Sequence, residues 1–433
     1  MKEEAWKEYI YKLVFLTLIC LAGFAAAGVR AQSIESSENS ARRRCQSDFA
    51  SPEDYLEFAA CHRRNSALIS YSVAPNGEPA RDDPTIFHNE DEPMALASVV
   101  KIIHLAAYAR ALSEGLLKPN QRIEMGDWQR NYLPGSDGNA HVNALDEIGV
   151  RHDPYGFAVN QKQEVRLEQM IRAMMKFSDN AAPDWLLERL GEDYFRQTIN
   201  LLGMKRQQMP LYLTGFHLLD GNHEQGNLNE RALRQLLRLS PARFAREARR
   251  LHDAFQEPSW KQAEFGWRLA GNPVENRKLM GALFAAQYTK GTAREYAALM
   301  ARLATNNVVI SPQVTRTMRR HLEWGMEDAG IRNLFTAYGS KGGSWAGGNI
   351  LDASYYVPRG GDFEGQPRVV VQFVRSLTPD AFDRLSQVPL IQIFGVKLAL
   401  ERNFALEVER KLDRRGFPQD SENGDSDKEG ENQ

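Results

Sequence analysis

Three short clusters carry residues that could do nucleophilic chemistry. The first is Ser98-Val99-Val100-Lys101. Alone it is weak, since on the order of one serine–lysine pair at this spacing arises by chance in a chain of this size. Its surroundings add weight: from Ala95 to Ala107 the only polar side chains are Ser98, Lys101 and His104. On a helix, an offset of three sets the amine beside the hydroxyl. An unpaired ammonium among apolar neighbours is costly, so Lys101 needs partners or a lowered pKa. A lysine that can lose its proton is a usable base for activating the serine, and the start of the helix presents N–H groups to an oxyanion. The competing explanation is a lysine snorkelling beside an ordinary serine. His104 reads as a core histidine.

The second cluster is Ser178-Asp179-Asn180, between a helix ending near Met175 and another starting at Ala181. Asp179 or Asn180 would cap that helix, with proline in its first turn. A cap does not need all three residues. Displayed on the turn, the serine hydroxyl could relay a proton and the asparagine amide could hold a substrate carbonyl. The third cluster, Ser340-Lys341-Gly342-Gly343-Ser344, lies just before the late strands. Its glycines would let a substrate backbone approach a strand edge, and Lys341 would supply positive charge. A Gly-rich hairpin loop with a solvated lysine is the plainer reading.

These clusters need a scaffold to bring them together. The run Ala67–Val73 alternates, and Pro75-Asn76-Gly77 is a turn signal before a short strand near Thr85-Ile86-Phe87, which predicts a hairpin. Leu96–Leu112 predicts a helix buried on nearly every side, and most of the next 220 residues read as helix. Strand character returns at 353–357 and 369–374, before a final amphipathic helix at about 390–406. The fold class expected is therefore an α/β (α+β) sandwich: an antiparallel sheet from N- and C-terminal strands, flanking helices, and an inserted all-helical subdomain.

In order and placement the three clusters resemble those of class A β-lactamases and penicillin-binding proteins. The likeness extends to Glu92-Pro93-Met94-Ala95, to Met170–Met175, to Trp185–Gly191 and to Thr292–Met300, covering about residues 64–410. The resemblance implies a serine hydrolase with Ser98 as acylated nucleophile, Lys101 assisting its deprotonation and Ser178 relaying the leaving-group proton. Asn180 would bind the substrate amide, Lys341 would complete the electrostatic wall, and Gly343 with Ser344 would line the substrate, the N–H groups of Ser98 and Ser344 forming the oxyanion hole. The implied substrate is a small β-lactam or peptidoglycan-derived amide, and the implied alternatives are a D,D-peptidase, an esterase or a slow-releasing penicillin binder. Three departures stand out. Gly342 replaces the usual hydroxyl residue. No clear Glu-x-x-Leu-Asn loop follows the second cluster, so Glu224, with Asp220 and Glu230 behind it, is the nearest candidate for the deacylation base. Residues 231–290 read as extra helices of unassigned role.

Composition limits the alternatives. The chain has 433 residues and a formal net charge of −2, which gives no reason to expect nucleic-acid binding. Its nine histidines are scattered without ligand spacing, so no metal or other cofactor is expected, and nothing indicates a protein partner. Residues 13–27 are apolar, follow Lys2, Lys7 and Lys12, and precede small residues. That layout predicts a secretory signal over 1–31, with cleavage after Ala31 or Ala27, and a periplasmic or extracellular protein; an uncleaved anchor is the alternative. The remaining organisation is an exposed extension at 32–62, the hydrolase-like domain at 63–412 and a disordered tail at 413–433. Cys45 and Cys61 could form one disulfide or stand as free thiols.

Overall fold

The computed structural model describes residues 49–412. The expected signal, Cys45 and the expected tail lie outside the described residues, whereas Cys61 is disulfide-bonded. The elements that matter here are, in chain order, α1 (Pro52–Cys61), β1 (Ser66–Ser72), β2 (Ile86–His88), α2 (Lys101–Ser113), α3 (Ala181–Leu190), α4 (Leu213–Leu219) and α5 (Pro241–Gln256). They continue with α6 (Ala293–Ala304), α7 (Pro312–Leu322), β3 (Phe335–Trp345), β4 (Asn349–Pro358), β5 (Arg368–Val374), α8 (Leu390–Leu400) and α9 (Arg402–Leu412).

The strands form one antiparallel sheet in the order β2-β1-β5-β4-β3. Strands from the two ends of the chain thus share a sheet, as the sequence pattern predicts. Side chains alternate across its two faces. Ala67, Ile69, Val369, Val371 and Phe373 enter a core shared with α2 and the helical region, whereas Leu68, Val370 and Val374 enter a second core under α8 and α9. With both faces covered, every residue of β1 and β5 is buried.

Three local details depart from the pattern read in the sequence. Residues 52–61, expected within an exposed extension, form α1 under a reciprocal Ser51–Asp54 cap. Its Tyr55, Leu56 and Phe58 are buried in the second core, with the Tyr55 ring 4.8 Å from that of Phe394. The final helix is two helices: Glu401 is extended, and Asp362 caps the new start by accepting the Arg402 N–H at 2.9 Å. The third cluster is not a loop before a strand but lies inside β3, where Gly342 and Gly343 are held by the ladder to Asp352 and Leu351.

The helical region is set by close crossings. α4 packs on α5 with backbone almost in contact, since a Cβ at Gly215 would fall 1.8 Å from the Ala248 carbonyl oxygen. Buried Asp184 of α3 fixes the start of α4 by accepting the N–H groups of Leu213 at 2.7 Å and Thr214 at 2.8 Å. Among the described residues, no helix is long and apolar enough to cross a membrane, and no group of three or more metal-ligating side chains comes together.

Candidate active site

Ser98 lies in a tight turn, Ala97–Val100, that feeds into α2. Ala97 has φ +44° and Ser178 has φ +75°, a region that L side chains rarely adopt. Two such residues flanking one cluster mark a place where the fold holds backbone against its preference.

Lys101 is fully buried, and its Nζ is surrounded by four oxygens. These are Ser98 Oγ at 3.0 Å, Ser178 O at 2.5 Å, Ser178 Oγ at 3.1 Å and Asn180 Oδ1 at 2.6 Å. An ammonium has only three protons to give. The Ser178 carbonyl and the Asn180 amide oxygen can only accept, so they take two N–H groups. A neutral amine then points its lone pair toward the hydroxyls, which can donate. Burial, reinforced by the nearby Lys341 charge, holds the Lys101 pKa well below 10.5 against the pull of Asp179, Asp137 and Asp184. The amine is thus placed and tuned to take the Ser98 proton.

Ser178 bridges two amines: its Oγ is also 3.0 Å from Lys341 Nζ, which in addition donates to the Gly342 carbonyl at 2.7 Å. This is the geometry of a proton relay. Asp179 turns the other way, into the core. Its Oδ1 accepts Trp128 Nε1–H at 3.1 Å and caps α3 through the Ala182 N–H at 2.7 Å, and its Oδ2 lies 2.7 Å from His141 Nδ1. It is the post on which the displayed Ser178 and Asn180 are mounted. Asn180 Nδ2 donates to the Ser136 carbonyl at 3.0 Å and lies 3.4 Å from His217 Nε2. A substrate carbonyl would have to displace one of these contacts.

Ser98, Ser178, Asn180, Lys341, Gly343 and Ser344 all line one cleft of about 710 Å³. The sequence profile of the β-lactamase enzyme family matches residues 78–347, which carry all of these residues. The chain belongs to that family. Solved structures similar to it include a β-lactamase from Sphaerobacter thermophilus, at 17% identity and TM-score 0.45 over 83% of this chain and 98% of that one. A β-lactamase from Chitinophaga pinensis matches at 13% identity and TM-score 0.46, over 79% and 97%. PBP-A, in a mutant form solved as its acyl-enzyme complex with penicillin G, matches at 14% identity and TM-score 0.41, over 84% and 99%. No curated protein matches the sequence.

Against this family pattern, one expected residue falls elsewhere. Glu224 is exposed at the tip of a small hairpin, Gly221-Asn222 paired with Gly226-Asn227, and does not line the cleft. The physical reason is the turn: Asn222 Oδ1 accepts the N–H groups of Glu224 and Gln225, both at 3.0 Å, and directs the tip outward. Asp220 and Glu230 do not reach the cleft either. The carboxylates that do are Asp137, Glu147, Glu275 and Asp352. Glu147 is paired with Arg172 and Lys176. Asp137 Oδ2 accepts the His141 N–H at 3.0 Å, Oδ1 is buried without a partner, and burial pushes its pKa to about 6.

Residues missed in the sequence complete the walls. His217, on α4, is held neutral by burial and by the Arg268 and Lys101 charges, its pKa pulled down to about 3. Its ring lies 5.1 Å from that of Trp345, which stacks on Phe284 at 4.9 Å. Phe284 and Tyr288, with Met280, show what part of the 231–290 segment does: it builds one side of the cleft. Met280, Phe284 and Tyr288 share one helical face at a spacing of four, but their meeting with His217 and Trp345 is tertiary, set in part by the close approach of Gly281 to Gly347.

Gly343 is where the strand meets Ser98. A Cβ there would lie 2.7 Å from Ser98 N and 2.9 Å from Val99 N. Gly343→Val is therefore expected to move β3 off the serine turn and to cut Ser98 acylation by about a hundredfold, read by labelling rate alongside a melting curve. A variant acylated at the parent rate would show that the contact does not position the serine.

Proposed function

We propose that this protein is an exported serine hydrolase that forms an acyl-Ser98 intermediate on a β-lactam or a related amide or ester and releases it slowly. The observation that carries the reading is the buried Lys101 amine 3.0 Å from Ser98 Oγ, shared with the Ser178 relay. As Oγ bonds to the substrate carbonyl carbon, its proton passes to Lys101. The C–N or C–O bond then breaks as Ser178 gives its proton to the leaving atom and takes the one held by Lys101, which returns to the neutral amine. Water must later cleave the ester and restore Ser98. The signal-like segment at 13–27 supports export.

Slow release is supported by the placement of two residues, while Asp137, a buried cleft carboxylate with one oxygen unpartnered and a pKa raised to about 6, is the group that would oppose it. Glu224 faces solvent, and His217, which reaches Asn180, has too low a pKa to be an effective proton acceptor near neutral pH. The same observation favours a D,D-peptidase or esterase as the second reading.

The test is incubation of the mature protein with excess labelled penicillin, followed by intact mass and peptide mapping. One adduct on Ser98 that dominates during steady state is expected, with Glu224→Gln releasing it at the parent rate. No adduct, or one on another residue, would remove the reading. Mostly free enzyme during rapid turnover would remove slow release alone.

A further inference from the structure

The cleft does not end at the serine. It passes over β3 at Gly342 and continues on the other face of the strand, where Tyr338, Ser340, Asp352 and Gln392 line it beside apolar Phe382 and Ile391. The pleat explains the passage. Lys341 and Gly343 project toward Ser98, so Ser340, Gly342 and Ser344 face the opposite way. Gly342 pairs with Asp352 across the β3–β4 ladder. A Cβ at 342 would meet Gln392 Nε2 at 3.6 Å and Asp352 Oδ1 at 3.7 Å, both ordinary contacts. The missing side chain is what leaves the carboxylate facing the passage.

Asp352 is 1% exposed. The Ser354 hydroxyl bonds one of its oxygens, and the Gln392 side chain also bonds the carboxylate. Burial raises its pKa to about 6, while Ser354, the Lys341 charge and Gln392 oppose the rise. A buried carboxyl group across the ladder from Gly342 is poorly suited to receiving a second carboxylate. It suits a cation or a hydrogen-bond donor, for which it supplies charge in a water-poor setting.

We propose that this lobe is a subsite for an ammonium group on the leaving-group side of the substrate, recognised by Asp352 through the gap left at Gly342. The side is set by Lys341, the neighbour of Gly342, whose amine lies 3.0 Å from the Ser178 hydroxyl. The proposal rests on the acyl-serine reading above and deepens it: the preferred acyl donor carries an amine where a penicillin carries its carboxylate.

The probes are N-acetyl-D-alanyl-glycine and the analogue whose terminal carboxylate is replaced by an aminomethyl group. Their equilibrium binding is measured by calorimetry on Ser98→Ala protein, so acylation does not enter. The amine form is expected to bind about tenfold more tightly, a difference typical of one well-placed ion pair. Asp352→Asn is expected to bring the ratio near one. Gly342→Thr, which fills the passage and leaves the carboxylate in place, is expected to weaken the amine form about tenfold. Melting curves confirm that each variant is folded. Equal or tighter binding of the carboxylate form, a preference unchanged by both substitutions, or binding of neither probe overturns the subsite. Failure of penicillin to label Ser98 in the unsubstituted protein instead overturns the hydrolase reading, and the two results are independent.

Discussion

Lys101→Ala is expected to slow acylation of Ser98 by about a hundredfold or more, the usual cost of a lost general base. Binding of a ligand that cannot acylate should change far less. The residue acts through an amine that must be neutral to accept a proton, so the parent rate should rise with pH through the lowered Lys101 pKa. The variant should lose that limb of the profile. Rapid-quench intact mass over a pH series reads both effects, and a melting curve separates them from unfolding, because the substitution strips the Ser178 and Asn180 oxygens of their donor. Parent-like rates with a parent-like pH profile would leave Lys101 as a structural residue only.

The second large effect falls on stability. Asp179→Ala removes a fully buried carboxylate and leaves the Trp128 indole, the Ala182 N–H and the His141 ring without their acceptor. Leaving a buried donor unsatisfied costs about 1–3 kcal/mol, so with three such groups a loss of about 3 kcal/mol or more is expected. Burial alone would raise the Asp179 carboxyl, but His141 and the bonds from Ala182 and Trp128 outweigh it and hold the group below its ordinary 3.8. A depressed folded pKa stabilises at pH above the unfolded value and is lost as pH falls through the folded one. The gap between parent and variant should therefore be full at pH 7 and narrow below about 3.8. Denaturant midpoints across that range measure it. A loss under 1 kcal/mol at pH 7 would mean that the turn bearing Ser178 and Asn180 is held by something else.

The convergence of the candidate site residues was legible because its parts are local. Ser98 and Lys101 belong to one turn of helix, Ser178 and Asn180 to one cap, and Lys341 to one strand, so a few neighbouring residues define each. The two-ended sheet was legible because alternation shows where strands lie even when it does not show their partners. His217 and Asp352 were not. Each owes its place to a tertiary meeting, the first to the crossing that Gly215 permits and the second to the β3–β4 register. Glu224 misled for a related reason. Its segment has the composition of a site loop, but two glycines and the Asn222 side chain turn it into a hairpin facing solvent. The helix read across 390–406 likewise hid a break, because the cap that makes it, Asp362, comes from a distant loop.

The placement of β1 constrains how the molecule can be assembled in time. Its residues bond to β5, pairing Ser66 with Val374 and Ser72 with Arg368, and Arg63 just before it donates to the Lys411 and Leu412 carbonyls. β1 can pair locally with the three-residue β2, but most of the chain must be synthesised before its long central partner β5 is present. Such distant pairing carries a large loop-closure cost and slows the search. A chain emerging from the ribosome can therefore pair β1 only with the short β2 until β5 arrives, and any product truncated before β5 lacks the strand that would join β1 to β4. Arrival of β5, rather than formation of the early helices, is the event that allows β3 and the serine turn to be locked in one piece.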